Sequence, residues 1–311
     1  MIKRPYGNTG KWVSEIGFGG WQLGNQRDWE PMEDAAAISL VHEALDRGMQ
    51  FFDTAPNYGQ GRSEELLGKA LAGKRADAVI NTKFGHGADG STGYDASLIR
   101  DSVEQSLKRL RTEYVDSVLL HNPPFEDLDG KHGHYEVLEE LRKEGKIIAY
   151  GASVDSGTEM LELIHNTNVG VIEVMFNIFY QEPAEAFKIA KEKDIAIIVK
   201  IPLDSGWLSG KYTKESRFEG VRKRWSSDII GKRADLLGKI GFIADQDTTM
   251  TMAALRFILA HPEVSTVIPG VRNRAQLIEN IAAGDGSMPD DHVRRLRRLW
   301  EDEIRHMGLG W

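Results

Sequence analysis

Phe51-Phe52-Asp53-Thr54-Ala55-Pro56-Asn57-Tyr58-Gly59 joins two unlike pieces of chain. Its first half is a short apolar run of strand character that ends in polar residues. Pro56 and Gly59 then break the run and mark a loop. Seven other runs have the same form. In chain order the eight occupy residues 16–19, 51–54, 79–82, 117–121, 147–151, 171–177, 195–200 and 266–269. They are nearly uniformly apolar instead of alternating, as expected of parallel strands covered on both faces.

Segments of helical period separate them. Ile38, Val41 and Leu45 share one face, with Asp34 placed to cap the helix and Gly48 just past its end. Ile99, Val103, Leu107 and Leu110 repeat the pattern after Asp95. Ser156 and Glu159 have capping-box spacing ahead of Met160, Leu163 and Ile164. Val293, Leu296, Trp300 and Ile304 predict a C-terminal helix, and Arg294, Arg295, Arg297 and Arg298 read as its solvated face.

Eight strands alternating with helices predict a (β/α)8 TIM barrel occupying residues 1–311 as one domain. A short N-terminal hairpin over 2–13, turning at Gly7-Asn8-Thr9-Gly10, and the extra C-terminal helix complete the expectation. An open doubly wound sheet is the alternative, but its dinucleotide fingerprint is missing. Gly59-Gln60-Gly61-Arg62-Ser63-Glu64 lacks the last glycine, and Gly206–Lys211 lacks the leading glycine of a phosphate loop. Residues 203–250 form one unusually long connection, rich in Gly, Ser, Lys and Arg, of the kind that carries function.

Composition removes several classes of function. The chain has no cysteine, which excludes disulfides, thiolate nucleophiles and cysteine metal sites. Its net charge of −8 argues against nucleic acid or a membrane surface as partner. Met1-Ile2-Lys3-Arg4-Pro5-Tyr6 is not followed by an apolar run, and no stretch approaches the ~18 apolar residues of a membrane span, so a cytoplasmic protein is expected.

In a barrel of this kind the chemistry lies at the C-terminal ends of the strands. The second run ends in Asp53 and leads to Tyr58, the third leads to Lys83, Phe84 and His86, and the fourth ends at His121 and Asn122. Each residue alone reads more simply as a cap, a packing aromatic or a solvated charge. Together, at three successive strand ends, they make a coherent set. A phenol of pKa near 10 is a poor acid at neutral pH. Lys83 is expected to lower that value by stabilising the phenolate, and Asp53 to hold Lys83 charged. A neutral His121 can hydrogen-bond a carbonyl oxygen while Tyr58 supplies the proton. No side chain supplies hydride, so a nicotinamide cofactor is required.

Phe52-Asp53-Thr54-Ala55-Pro56-Asn57-Tyr58-Gly59 with Ser63-Glu64, followed by Asn81-Thr82-Lys83 and His121, resembles the signature of the aldo-keto reductase superfamily. The resemblance covers nearly the whole chain. It implies NAD(P)(H)-dependent interconversion of an aldehyde or ketone with the alcohol, with Tyr58, Lys83, Asp53 and His121 as the catalytic set. It also implies cofactor positions at Gly20 and Trp21 after the first strand, at Asp53, and at Ser153 and Asn177 as holders of the carboxamide. Lys200, Ile201, Pro202, Leu203, Ser205, Gly206 and Lys211 resemble the segment over the pyrophosphate. Gly270, Arg272, Gln276 and Asn280 resemble the adenosine-binding segment.

Some positions depart from the family. Lys200 stands where many members stack an aromatic ring on the nicotinamide. Gly270 and Gln276 stand where strongly NADP-selective members carry basic residues; Arg272 and Arg274 are the available substitutes, favouring NADP(H) over NAD(H). Asn122 follows the catalytic histidine where others carry an aromatic residue or Arg. Specificity is expected in the loops after the fourth and seventh strands and in the tail Met307-Gly308-Leu309-Gly310-Trp311. Sugars, small aldehydes and ketones all remain open, and the oligomeric state is not legible.

Two other functions compete. A cofactor-binding regulatory subunit on the same fold, like the potassium-channel β-subunits, is compatible with an intact tetrad. A metal-dependent barrel hydrolase or isomerase is less so, because the strand ends carry Tyr and Lys. Asp127, Asp129, His132 and His134 are the candidate metal cluster, better read as a polar loop, and no metal is expected.

Overall fold

The computed structural model describes residues 1–27 and 29–310; Trp311 of the expected specificity tail lies outside them. β1 (Lys3–Pro5) and β2 (Trp12–Ser14) form the antiparallel hairpin, turning through Gly7–Thr9. The eight remaining strands are β3 (Phe18–Gly19), β4 (Phe51–Asp53), β5 (Val79–Phe84) and β6 (Val115–His121), then β7 (Ile147–Val154), β8 (Val171–Met175), β9 (Ala196–Lys200) and β10 (Val264–Val267). All are parallel, in the order β10-β9-β8-β7-β6-β5-β4-β3. Parallel bridges Ile16↔Val267 and Gly19↔Gly270 join the last strand to the first, so the sheet closes into a (β/α)8 barrel.

Helices α1 (Asp34–Asp46), α2 (Arg62–Ala70), α3 (Ile99–Leu110), α4 (His134–Lys143) and α5 (Gly157–Asn166) surround the first half. α6 (Ala184–Glu192), α7 (Ser227–Ile240), α8 (Met250–Leu259), α9 (Arg274–Ala283) and α10 (Asp290–Asp302) follow. The capping box forms at Ser156 and Glu159. Two readings are corrected. Asp34 lies inside the first turn of α1 and Glu33 occupies the cap; Asp34 instead pairs with Arg62 and Lys69 of α2. The long connection after β9 is not a bare loop, because α7 and several 3-10 turns lie within it. Among the described residues no helix is long and apolar enough to cross a membrane.

Strand side chains alternate between faces, so closing the barrel sorts each run into an outer and an inner set. The outer set meets the helices in the main core, with Phe52, Ile80, Val118, Ile172 and Ile197 among its fully buried members. The inner set changes character along the barrel axis. Its floor is apolar: Phe51, Val79, Leu119, Val171, Ala196 and Ile198 pack with Tyr6 and Val13 of the hairpin, which plugs this end. Two residues further along β4, β5, β8 and β9 the inner positions become Asp53, Asn81, Glu173 and Lys200. Lys83 stands one step beyond Asn81 on β5, and Ser153 lies on β7. The barrel floor is sealed by hydrocarbon and its mouth is charged.

Candidate active site

β4 and β5 are paired with Asp53 opposite Asn81, so Lys83, two residues on, projects across the mouth. Lys83 Nζ donates to Asp53 Oδ1 at 2.5 Å and to the Thr54 carbonyl at 3.2 Å. It lies 5.2 Å from the centre of the Tyr58 ring, close enough for its charge to act on the phenol. The His121 ring meets the Tyr58 ring edge-on at 5.9 Å and the His86 ring at 4.9 Å. Asp53, Lys83, Tyr58 and His121 therefore converge on one mouth.

Neighbouring residues fix this arrangement. Thr54 Oγ1 donates to Ser63 Oγ (2.9 Å), and Ser63 Oγ donates to the Gly20 carbonyl (2.8 Å), tying the Tyr58 loop between β3 and α2. Glu64, fully buried, accepts from Thr82 at 2.7 Å and from Arg109 at 2.6 Å, anchoring β5 just before Lys83. Gly20 is required sterically: a Cβ there would sit 2.4 Å from the Asp53 carbonyl oxygen.

The electrostatics follow from burial. Burial, then the Lys83 and Lys200 charges, hold the His121 imidazole well below its ordinary pKa, so it is neutral. Its Nδ1 has no partner among the described residues, and an unsatisfied buried nitrogen is costly unless a ligand meets it. Burial opposes the Lys83 ammonium, yet Asp53 and Glu173 together keep its pKa above the usual lysine value. Asp53 is pushed up to about 7, first by burial and then by Glu173, against the pull of Lys83. For Tyr58 the expectation is corrected. Lys83 does pull the phenol down, but burial outweighs it and the net displacement is upward, so the free protein holds a neutral, proton-bearing Tyr58.

The sequence reading missed Glu173. Its Oε2 lies 3.3 Å from Lys83 Nζ and accepts from Asn81 Nδ2 at 3.3 Å, while its Oε1 accepts from Ser153 at 3.0 Å. The signal was present: one carboxylate inside the apolar run Val171-Ile172-Glu173-Val174-Met175.

The remaining predicted positions separate into groups. Lys200 Nζ reaches Asn122 Oδ1 (2.7 Å), Ser153 Oγ (2.9 Å) and Asp155 Oδ1 (2.8 Å), so it closes one side of the mouth. Asn177 is spent on backbone, donating to the Ile201 carbonyl (3.0 Å) and accepting from the Phe179 N–H (2.8 Å). Ile201, Asp204, Ser205 and Gly206 all have positive φ, at 53°, 44°, 54° and 102°. Such backbone costs about 1–3 kcal/mol at each non-glycine and persists only where its surroundings enforce it. The enforcement is visible: Arg233, buried, pairs with Asp204 at 2.7 Å and donates to the Leu309 and Gly310 carbonyls, locking the tail onto this loop. Pro202 and Leu203 lie within the turn, and Lys211 is exposed beyond it.

Next to this turn, which Arg222 meets at the Ser205 carbonyl (2.9 Å), Trp29 is flanked by Arg222 (4.6 Å) and Arg272 (5.0 Å) and meets Trp21 edge-on. Gly270 packs on Gln22, Gln276 Oε1 accepts from the Arg272 N–H (2.9 Å), and buried Asn280 donates to the Gly270 carbonyl (3.3 Å). Arg274 is taken by Glu43 at 2.9 Å. Arg222 had no place in the sequence reading. The loop proposed as an alternative metal cluster is internally bonded: His132 pairs with Asp127, Asp129 with Lys131, and His134 with the Tyr94 carbonyl.

A closed eightfold barrel with a Tyr–Lys–Asp–His set at its mouth is the frame of a known group of oxidoreductases. The model of the aldo/keto reductase family matches residues 15–301, and this chain belongs to that family. It is 31% identical to an uncharacterized oxidoreductase of Bacillus subtilis, YqkF, over 98% of this chain and 95% of that protein. It is 30% identical to the L-galactose dehydrogenase of Arabidopsis thaliana over 90% and 87% of the two chains. The holo form of an aldo-keto reductase from Bacillus halodurans superposes with a TM-score of 0.81 at 28% identity, covering 96% of each chain. The chain is accordingly an oxidoreductase acting between carbonyl compounds and alcohols.

Proposed function

We propose that the protein reduces a small polar aldehyde or ketone with NADPH, or runs the reverse oxidation, with Tyr58 as the acid and base. The observation that carries this reading is the fully buried Lys83 held by Asp53 and 5.2 Å from the Tyr58 ring, beside a neutral His121 whose Nδ1 is unpaired among the described residues.

The residues present fit a dinucleotide. Arg222 Nε donates to the Ser205 carbonyl at 2.9 Å, so the strained turn at 201–206 adjoins the Arg222–Trp29–Arg272 stack, and together they offer cationic and backbone donors suited to phosphate. Arg222 and Arg272 favour NADP(H) over NAD(H). When bound, the cofactor supplies or accepts hydride. Ser153, with Asn177 behind it, orients the carboxamide, and Gly20 and Trp21 wall the nicotinamide pocket. Lys200 occupies the place of a stacking aromatic.

The chain's own residues handle the proton and the oxygen. His121 donates a hydrogen bond to the carbonyl oxygen and fixes its direction. Tyr58 releases its proton to that oxygen as the carbon is reduced, and the Lys83 ammonium stabilises the phenolate left behind. Asp53 keeps Lys83 in place.

A cavity of about 630 Å³ opens beside this set, walled by Asn57 and Gly59 on either side of Tyr58 and by His86 against His121. Asn25, Gln60, Arg62 and Thr92 also face it, so its wall hydrogen-bonds. That wall suits a hydroxylated carbonyl compound, and the L-galactose dehydrogenase relative acts on such a molecule. The test is fluorescence titration with NADPH and NADH, followed by turnover of glyceraldehyde and aldoses against butanal and benzaldehyde. Tighter NADPH binding with preferred turnover of the hydroxylated substrates is expected. Tight binding without turnover of any carbonyl would instead favour a cofactor-binding regulatory role.

A further inference from the structure

The barrel mouth holds more negative charge than its cations balance. Asp53 Oδ1 and Glu173 Oε2 face the same two donors: Lys83 Nζ at 2.5 and 3.3 Å, and Asn81 Nδ2 at 2.7 and 3.3 Å. The Lys83 side chain is 0% exposed and the two carboxylates are 3% and 2% exposed. Two buried anions therefore share one ammonium.

The other groups around them do not correct the balance. Ser153 on β7 leads from Glu173 to Lys200 on β9, but Lys200 is already paired with Asp155 at 2.8 Å. His121 on β6 and Tyr58 are neutral, as is Tyr6 on the floor, which donates to or accepts from Ser117 at 2.7 Å. Asp155, with its side chain 39% exposed, lies at the rim with Lys200, so the fully buried set is two carboxylates, Asp53 and Glu173, against one ammonium, Lys83. An unpaired charge this far from water is expensive, and a carboxyl group escapes the cost by keeping its proton.

We propose that Glu173 is a positioning residue: by competing with Asp53 for Lys83 it makes the cluster hold one proton, on Asp53, and so leaves Lys83 free to act on Tyr58. With Asp53 protonated, Glu173 alone balances Lys83, and the net pull on the Tyr58 proton is greatest. When Asp53 loses its proton, a second anion faces Tyr58 and opposes formation of the phenolate. Carbonyl reduction therefore weakens as pH rises through the titration of the cluster. Asp53 titrating at about 7 puts that step in the neutral range.

The inference rests on the function proposed above, but its first test does not need turnover. In cofactor-free protein the proton held on Asp53 contributes stability to urea that should fall as pH rises from 6 to 8. His86, His121 and His261, all lowered by burial, contribute the opposite trend near pH 6–7, so the readout is wild type minus Glu173→Gln, in which the histidine contributions cancel. Glu173→Gln keeps the shape and the Ser153 contact while removing the competing charge, and should flatten that fall. Its kcat/KM inflection for carbonyl reduction should move to lower pH by roughly one to three pH units. A stability difference between wild type and Glu173→Gln that does not fall as pH rises over this range would overturn the proposal. An unchanged slope or an unchanged kcat/KM inflection in Glu173→Gln would also overturn it. Absence of turnover with the stability slope present and lost in Glu173→Gln would support the proton-holding cluster and count against the proposed function instead.

Discussion

Lys83→Met tests the charge arrangement at the barrel mouth most directly. Lys83 is the one ammonium among the described residues that touches both Asp53 and Glu173, at 2.5 and 3.3 Å. Methionine fills similar space without charge, so the substitution leaves two carboxylates facing each other out of water. Breaking a buried pair by removing one partner costs about 3–5 kcal/mol. Here the cost should depend on pH, because carboxylates can neutralise themselves. Asp53 already sits at about 7 in the presence of Lys83, and loss of the ammonium drives it higher. A carboxyl raised in the folded state stabilises that state at low pH, and the gain is lost as pH rises through the folded value. The variant should therefore be hurt little near pH 5.5 and fully near pH 8.5. Unfolding entropy of about 2.1 cal/mol/K per residue gives roughly 0.65 kcal/mol/K for 311 residues, so the full cost corresponds to a Tm drop of about 5–8 °C. Circular dichroism melts of both proteins at the two pH values read this out. An equal drop at both, or no drop at pH 8.5, would refute the reasoning.

Tyr58→Phe should lower kcat for carbonyl reduction by about 10²–10⁴ while leaving NADPH affinity nearly unchanged; near-normal turnover would remove Tyr58 from the mechanism. Arg272→Ala should weaken dinucleotide binding in fluorescence titrations, more for NADPH than for NADH, and equal unchanged affinities would reject its phosphate role. Ser156→Ala breaks the capping box of α5 and should cost about 1 kcal/mol in urea unfolding without altering kcat, which separates local stability from chemistry.

The eight strands were legible because parallel strands buried on both faces must be apolar, and their ends because Pro, Gly and ionisable residues interrupt them. Asp53, Tyr58, Lys83 and His121 stood out because each follows such a run. Glu173 did not, since within one apolar run a single carboxylate carries no sign of which face it occupies. That sign comes from barrel closure, which turns every second residue inward and brings β8 opposite β4 and β5. The pKa of Tyr58 was misjudged for the same reason. The composition shows Lys83 near it in type, but only packing sets how much water is excluded, and exclusion outweighed the ammonium. Local pattern by itself determined the strands, the helices and the identity of the reacting groups, because these depend on residues a few positions apart. The charge balance at the mouth, the strained turn locked by Arg233, and the Arg222–Trp29–Arg272 stack were decided by tertiary structure alone. Each joins residues tens to hundreds of positions apart, and their energies exist only once the closed barrel has removed the water between them.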